Sequence, residues 1–494
     1  MIRVNHHTLT LLIALILGWS WDMLFYGKSL GISVFFFISA LILALFGLGR
    51  ERGVLSARRN LWLLAPLLFF AAMVAVRANL FVTFLNVVAC LMLVGLVAHF
   101  YAAGRIGELG LTGYPLVFLQ VAGNTLVRPG ALVSASLDLN TVQTRSRPNI
   151  LPVLRGVLLA MPVLLLFSCL LASADLVFAH YVEDILHLKF LADLLEWFWH
   201  GIIILVVAWI VAGGLVYALS GTATSQETGL SAKMSRLTRP FSFGFVEITI
   251  LLTLVNLLFV IFVGIQFAYL FGGQANITIE GYTYAEYARR GFFELLAVSM
   301  LTLGLIFILW RLGRFETGRQ QGVFKVLSSL MVVLVLPILA SAFQRLLLYE
   351  IAYGYTELRL YSHVFMVWLA ATFLWFLITL WLQPHRFALG VFVAALGFLI
   401  TLNVINPDAF IAEQNLARYQ TTGKLDIRYL TRLSDDVVPV LTQAVNRVSE
   451  ADRQILKDHL NSRRASLAAT LASQDWPSFH LAEQHAYAVL ANPQ

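Results

Sequence analysis

Eight charged side chains stand within or at the ends of long apolar segments: Asp22, Arg77, Asp175, Glu294, Arg345, Glu350, Glu357 and Arg359. An ionised group near the hydrocarbon centre of a membrane costs at least about 2.5–3.5 kcal/mol. Each therefore needs a partner, or water. Two arrangements meet that need. Acids and arginines can pair and staple helices together, as Asp22 with Arg77 or Asp175 with Arg345 would. Alternatively, the group lines a water-filled opening that holds a polar solute, an ion or a lipid headgroup. That second arrangement expects Glu294 or Asp22 to border water between the first, fifth, eighth and ninth segments. The residues alone leave both open.

One further constellation has metal-ligand types. His180, Glu183, Asp184 and His187 recur at i, i+3, i+4 and i+7, one face of a helix. His180, Asp184 and His187 would supply two imidazoles and a carboxylate, as zinc with an open position requires. The spacing is not that of a zincin, and no fourth ligand is evident. The plainer reading is the solvated face of a surface helix, with no metal. His480 and His485 near the end of the chain read as solvent-exposed. A phosphate-binding loop, a nucleophile elbow and a kinase signature set are all missing. No catalytic residue and no cofactor is expected, and the sequence points away from an enzyme.

The elements that must carry these residues are apolar runs. A span of about 30 Å of hydrocarbon needs roughly 20 residues. Eleven segments satisfy this, near 8–26, 30–48, 60–77, 80–102, 153–178, 197–219, 243–270, 291–311, 326–349, 359–382 and 386–406. Of the 25 Lys and Arg residues before Pro407, 18 fall in alternate gaps, including Arg50, Arg52, Arg58, Arg59, Arg145, Arg147, Arg311, Arg314 and Arg319. By the positive-inside rule those gaps face the cytoplasm, giving an N-in, C-out topology. The first segment lacks a small-residue cleavage site before Trp19 and Trp21, so it reads as a retained span. Residues 114–137 alternate apolar residues with Gln120, Asn124 and Arg128, as a helix lying in the headgroup layer does. From Pro407 the composition turns polar. Helical periodicity returns at 410–419, 427–433, 437–448 and 453–471, with Ser434 or Asp435 as an N-cap.

The expected fold is thus all-α: a polytopic transmembrane helix bundle over residues 1–406, with a small helical extracytoplasmic tail over 407–494. Composition agrees. Hydrophobic residues make up 59% of the 494 and charged residues 12%, with mean hydropathy +0.81. Soluble domains carry about twice that charged fraction. The net charge of +7 does not mark a nucleic-acid binder, because the tail's nine basic and ten acidic residues nearly cancel and the excess lies in the membrane part. Cys90 and Cys169 sit mid-segment and read as small hydrophobes. Gly213-Gly214 and Gly272-Gly273 read as close-packing and turn positions.

Several stretches carry a likeness. They are 22–26 (Asp22-Met-Leu-Phe-Tyr), 80–86 ending in Asn86, 172–178 around Asp175, 266–273, and 284–294 ending in Glu294. The others are 357–361 (Glu357-Leu-Arg359-Leu-Tyr), Asn406-Pro-Asp408 through Asn415-Leu-Ala-Arg418, 426–430, and 433–436 (Leu-Ser-Asp-Asp). Together they resemble the bacterial membrane family named domain of unknown function 4173, which is close to domain of unknown function 4153. The resemblance implies a multi-pass protein of the bacterial inner membrane and supplies no activity. Three functions remain expected. The first is a carrier or flippase-like protein that takes a polar solute or lipid headgroup at an outward-facing cluster. The second is a non-transporting sensor or assembly scaffold with membrane protein partners. The third is a membrane enzyme acting on a lipid-linked substrate. Membrane lipids are partners in all three.

Overall fold

In lipid a backbone has no hydrogen-bond partner but itself, and apolar runs of this length become helices. The computed structural model describes residues 6–54, 56, 58–136, 189–220, 243–271 and 291–492. Among the described residues there is no strand, only an isolated parallel bridge between Phe243 and Gly313. In chain order the helices are α1 (His6–Phe25), α2 (Ser33–Glu51), α3 (Leu64–Met73), α4 (Leu80–His99) and α5 (Gly113–Ser136). Next come α6 (Lys189–Leu219), α7 (Phe245–Phe271), α8 (Phe292–Leu312), α9 (Gly318–Tyr353), α10 (Glu357–Leu382) and α11 (Phe387–Ile405). The tail holds α12 (Pro407–Thr422), α13 (Ile427–Leu430), α14 (Val438–Ala444), α15 (Glu450–Ser473) and α16 (Leu481–Ala491).

Nine helices among the described residues, α1, α2, α4 and α6 to α11, are long and apolar enough to cross a membrane. At most 44% of the most apolar window of any of them is buried within the protein. More than half of each window therefore needs another apolar environment, and exposed Leu80, Leu301 and Leu382 show the surface concerned. The protein is a multi-pass membrane protein in contact with lipid. Two expected spans have no counterpart among the nine. Residues 153–178 lie outside the described residues. The third segment is a 3-10 helix, Arg58–Leu63, followed by the ten-residue α3. Pro66 has no N–H and suits a first helical turn, so the α-helix begins beside it and not at residue 60. Where a helix in the headgroup layer is expected, at 114–137, the chain forms the helix α5.

The chain forms two compact units. The first comprises residues 1–26, 40–53 and 121–217. Within it, a Cβ on Gly18 of α1 would collide with the Ile204 carbonyl of α6, and one on Gly213 of α6 would collide with the Thr125 carbonyl of α5. Gly213 thus is a close-packing glycine; Gly214 has open space beside it. Arg52 donates to the Thr10 hydroxyl at 2.6 Å, and Arg128 lies 4.9 Å from the Tyr217 ring.

The second unit comprises residues 27–39, 54–120 and 218–494. Its larger core joins α7, α8, α9 and α10 through Ile248, Leu252, Ile306, Met331, Val335 and Phe373. Glycines let α11 lie against the indoles of α10: a Cβ on Gly390 would collide with Trp375, and one on Gly397 with Trp368. A second core joins Val82 of α4, Leu360 and Val364 of α10, and Leu402 of α11 to Ile411, Leu430, Leu441 and Leu456 of the tail. The tail therefore shares its hydrophobic core with the ends of the spans, which answers how so short a segment buries enough apolar surface.

Candidate functional site

Asn79 is the N-cap of α4. Its side-chain oxygen accepts from the Val82 N–H at 3.0 Å. Its amide nitrogen donates to Glu357 at 2.7 Å and to Asp408 at 3.0 Å. Asp408, 1% exposed, stands in the first turn of α12, where the helix dipole favours a carboxylate. Its second oxygen accepts from the Ser434 N–H at 3.0 Å. Glu357 also accepts from the Tyr361 hydroxyl at 3.3 Å, while its own N–H donates to the Tyr429 hydroxyl at 3.0 Å. Burial pushes the Tyr429 phenol up to about 12, so it stays neutral.

A second cluster adjoins this one through the chain. Arg77 donates to the Asn403 carbonyl at 2.7 Å and lies 3.7 Å from Asp436. Asp436 accepts from the Ala78 N–H at 2.7 Å and from the Asn406 amide at 3.4 Å. Burial raises Asp436 above the usual carboxylate range, against the opposing pull of the Ala78 N–H and the Arg77 cation. His480, expected on the surface, is buried with Nε2 3.2 Å from the Arg77 carbonyl. Asn406 turns the chain from α11 into α12 in the left-handed region, φ 56°, which asparagine tolerates better than most residues. Beneath, Asn86 and Asn403 exchange amide hydrogen bonds at 2.9 and 2.8 Å, each satisfying the other inside the bundle.

A third contact closes the α9–α10 turn. Asn415 of α12 accepts from the Tyr355 N–H and donates to its carbonyl, at 2.8 and 2.9 Å. Arg418 caps α9 by donating to the Ile351 and Ala352 carbonyls at 2.8 and 2.6 Å, groups a helix end leaves open. Arg359 donates to the Gly354 carbonyl and lies 4.1 Å from the Tyr349 ring.

Two acids within the spans have a different kind of partner. Glu350 of α9, 1% exposed, lies 3.2 Å from Nδ1 of His363 on α10, and its other oxygen has no hydrogen-bond partner among the described residues. In the first unit, both oxygens of Asp22 lie within 2.9 Å of Nδ1 of His200, whose ring is 4.1 Å from Tyr26.

Of the eight charged residues singled out in the sequence, the structure thus brings Arg77 and Glu357 to the junction with the tail. Arg359 and Glu350 stand at the adjoining turn and helix end. Asp22 pairs with an imidazole. Glu294 is exposed in the first turn of α8, and Arg345 lies against Gly291, where a Cβ would come within 2.6 Å of its guanidinium. Asp175, His180, Glu183, Asp184 and His187 lie outside the described residues. Sequence reasoning missed Asn79, Asp408, Asp436, His200 and His363 as members of a site. For the acids a signal existed: Asp408 and Asp436 both fall in stretches that carry the family likeness. His200 and His363 had none, because a lone histidine in an apolar run announces no partner.

Fold and site therefore define a multi-pass helical membrane protein whose tail is held by buried polar groups. A family model described as "Domain of unknown function (DUF4153)" matches residues 64–444, more than three quarters of the chain. The chain belongs to that family, the near neighbour of the one its motifs resemble. The match covers every junction residue named above except His480, and leaves Asp22 outside. No curated protein and no solved structure is detectably similar to the chain.

Proposed function

We propose that this protein is a scaffold or sensor of the bacterial inner membrane that presents its tail, rigidly held, on the extracytoplasmic side. The observation that supports this reading is the Asn79–Glu357–Asp408–Ser434 network with its Arg77–Asp436 neighbour. Both Asp408 oxygens, both Asp436 oxygens and the Asn79 amide are engaged by protein groups. A ligand entering there would have to break bonds that hold the tail in place. Such a network specifies one orientation of the tail, which a presenting surface needs. On the positive-inside rule, the arginine-rich gaps argue for a cytoplasmic N-terminus and an outer tail.

A second reading, a carrier for a polar solute or lipid headgroup, draws on Glu350–His363 and Asp22–His200. Imidazole is the side chain whose charge changes between pH 5 and 8, so such pairs suit proton-linked work. Affinity purification from native membranes, followed by native mass spectrometry, separates the two. The scaffold expects a stoichiometric protein partner that is lost on Asp408→Ala and retained on Glu350→Gln. A small-molecule adduct lost on Glu350→Gln, with no partner, would favour the carrier. Orientation has its own test. Cysteines at Ser56 and Gln320 should react only from the cytoplasm, and one at Ser473 only from outside.

A further inference from the structure

Where α8 and α10 end and α9 and α11 begin, a cavity of about 170 Å³ is walled by Phe307, Trp310, Phe376, Leu380 and Phe387, with Arg311 in its lining. The walls are held by aromatic packing: the Phe387 ring lies 5.2 Å from Phe376 and 6.4 Å from Phe307. Of the two hydroxyls in the lining, Thr112 is exposed, and the buried one, Thr379, already donates to carbonyls of its own helix, at 2.9 Å to Trp375 and 3.1 Å to Phe376. The slot therefore offers water little and an apolar chain much.

Charge at the same end of the helices is mostly basic, against Glu247, Glu316 and a Glu108 already paired with Arg105. Arg311, Arg314, Arg319 and Arg386 are exposed, and none makes an ion pair among the described residues. Lys325 stands over the Trp381 ring at 5.7 Å. Span ends lie in the headgroup layer, so these cations face lipid phosphates. A soluble anion would leave the apolar slot empty. A zwitterionic lipid would fill the slot and leave the arginines uncompensated.

We propose that this cavity binds one anionic glycerophospholipid, with a stretch of acyl chain among the phenylalanines and its phosphate on Arg311. The site is independent of the scaffold reading, since it shares no residue with the tail junction. Its volume suits part of one chain and not a whole lipid.

The test adds phosphatidylglycerol or phosphatidylcholine of identical chains to delipidated protein in detergent and counts bound lipid by native mass spectrometry. One phosphatidylglycerol should be retained at about fivefold or more over phosphatidylcholine, the effect of roughly one arginine beside an anionic lipid. Arg311→Gln removes that arginine and should abolish the preference. Gly110→Leu should lower retention of both lipids by obstructing the slot; a Cβ at Gly110, another lining residue, meets no atom within 4 Å, so the backbone accepts it. Neither variant should move the melting temperature of lipid-free protein. Equal retention of the two lipids, or a preference that survives Arg311→Gln, would overturn the site. Unchanged retention in a folded Gly110→Leu protein would overturn its placement in the slot. Should Gly110→Leu unfold, Arg311→Gln decides alone, because Arg311 is exposed and carries no ion pair to lose.

Discussion

Asp408 and Asp436 at the tail junction, with half-buried Glu357, and Glu350 within the spans, with half-buried Asp22, are acids drawn away from bulk water. Their partners differ in kind. At the junction the partners are an asparagine amide, backbone N–H groups and an arginine, none of which changes charge near neutral pH. Within the spans the partner is an imidazole, and at Glu350 one carboxylate oxygen is left over. The first arrangement is complete and holds two parts of the chain together. The second joins neighbouring helices through a single imidazole and leaves part of the Glu350 carboxylate unengaged among the described residues. Polar residues at membrane depth are thus not one class, and the identity of the partner separates a staple from an acid–imidazole pair.

The comparison breaks first at Asp408. Asp408→Ala strips the Asn79 amide and the Ser434 N–H of a buried acceptor. A loss of about 3–5 kcal/mol is expected, read as a large fall in melting temperature in detergent and as new protease cuts in the tail. An unchanged melt would mean that the junction is not a staple. Gly354→Ala comes next, at about 2 kcal/mol. The residue sits at φ 87°, where a side chain is strained, and its Cβ would come 2.5 Å from the Asn415 side-chain oxygen. This variant tests the α9–α10 turn without touching an acid.

Glu350→Gln should cost no more than about 1 kcal/mol, because the amide can keep a hydrogen bond to His363. A fall as large as that of Asp408→Ala would place Glu350 among the staples. The smallest effect concerns pH. Burial raises Asp436 in the folded chain, so the folded state holds that proton more tightly than the unfolded state does. The contribution is therefore fully present below the ordinary carboxylate range and is lost as pH rises through the raised value. Asp436→Asn removes this dependence, and its stability relative to the parent should improve from acid to neutral pH. Melts over a pH series would show a growing deficit instead if attraction to Arg77 outweighed burial.

Much of the membrane architecture was legible because it follows from composition at one length scale. Apolar runs near 20 residues mark the spans, and α1, α2, α4 and α6 to α11 lie where those runs lie. The tail's first four helices, α12 to α15, were also legible, since helical periodicity marks 410–419, 427–433, 437–448 and 453–471. The closing α16 was not foreseen. Its Leu481 N–H donates to the Ala75 carbonyl at 2.7 Å, a contact whose two ends are far apart in sequence.

Pairing was the part the residue order could not supply. Charge alone suggested arginine for Asp22, and folding delivered His200. Asn79 stands between two apolar runs with nothing local to mark it as a hub, and only the approach of α10 and α12 made it the centre of a network. By itself the sequence determined that lipid is the solvent, roughly where the chain crosses it, and that the segment after Pro407 leaves it. Hydrophobicity is a local sum, and a run of residues carries it whatever lies nearby. The tertiary structure decided which acids are satisfied and by what, because a hydrogen bond depends on two groups meeting within about 3 Å, and that distance is set by helix packing between residues hundreds of positions apart.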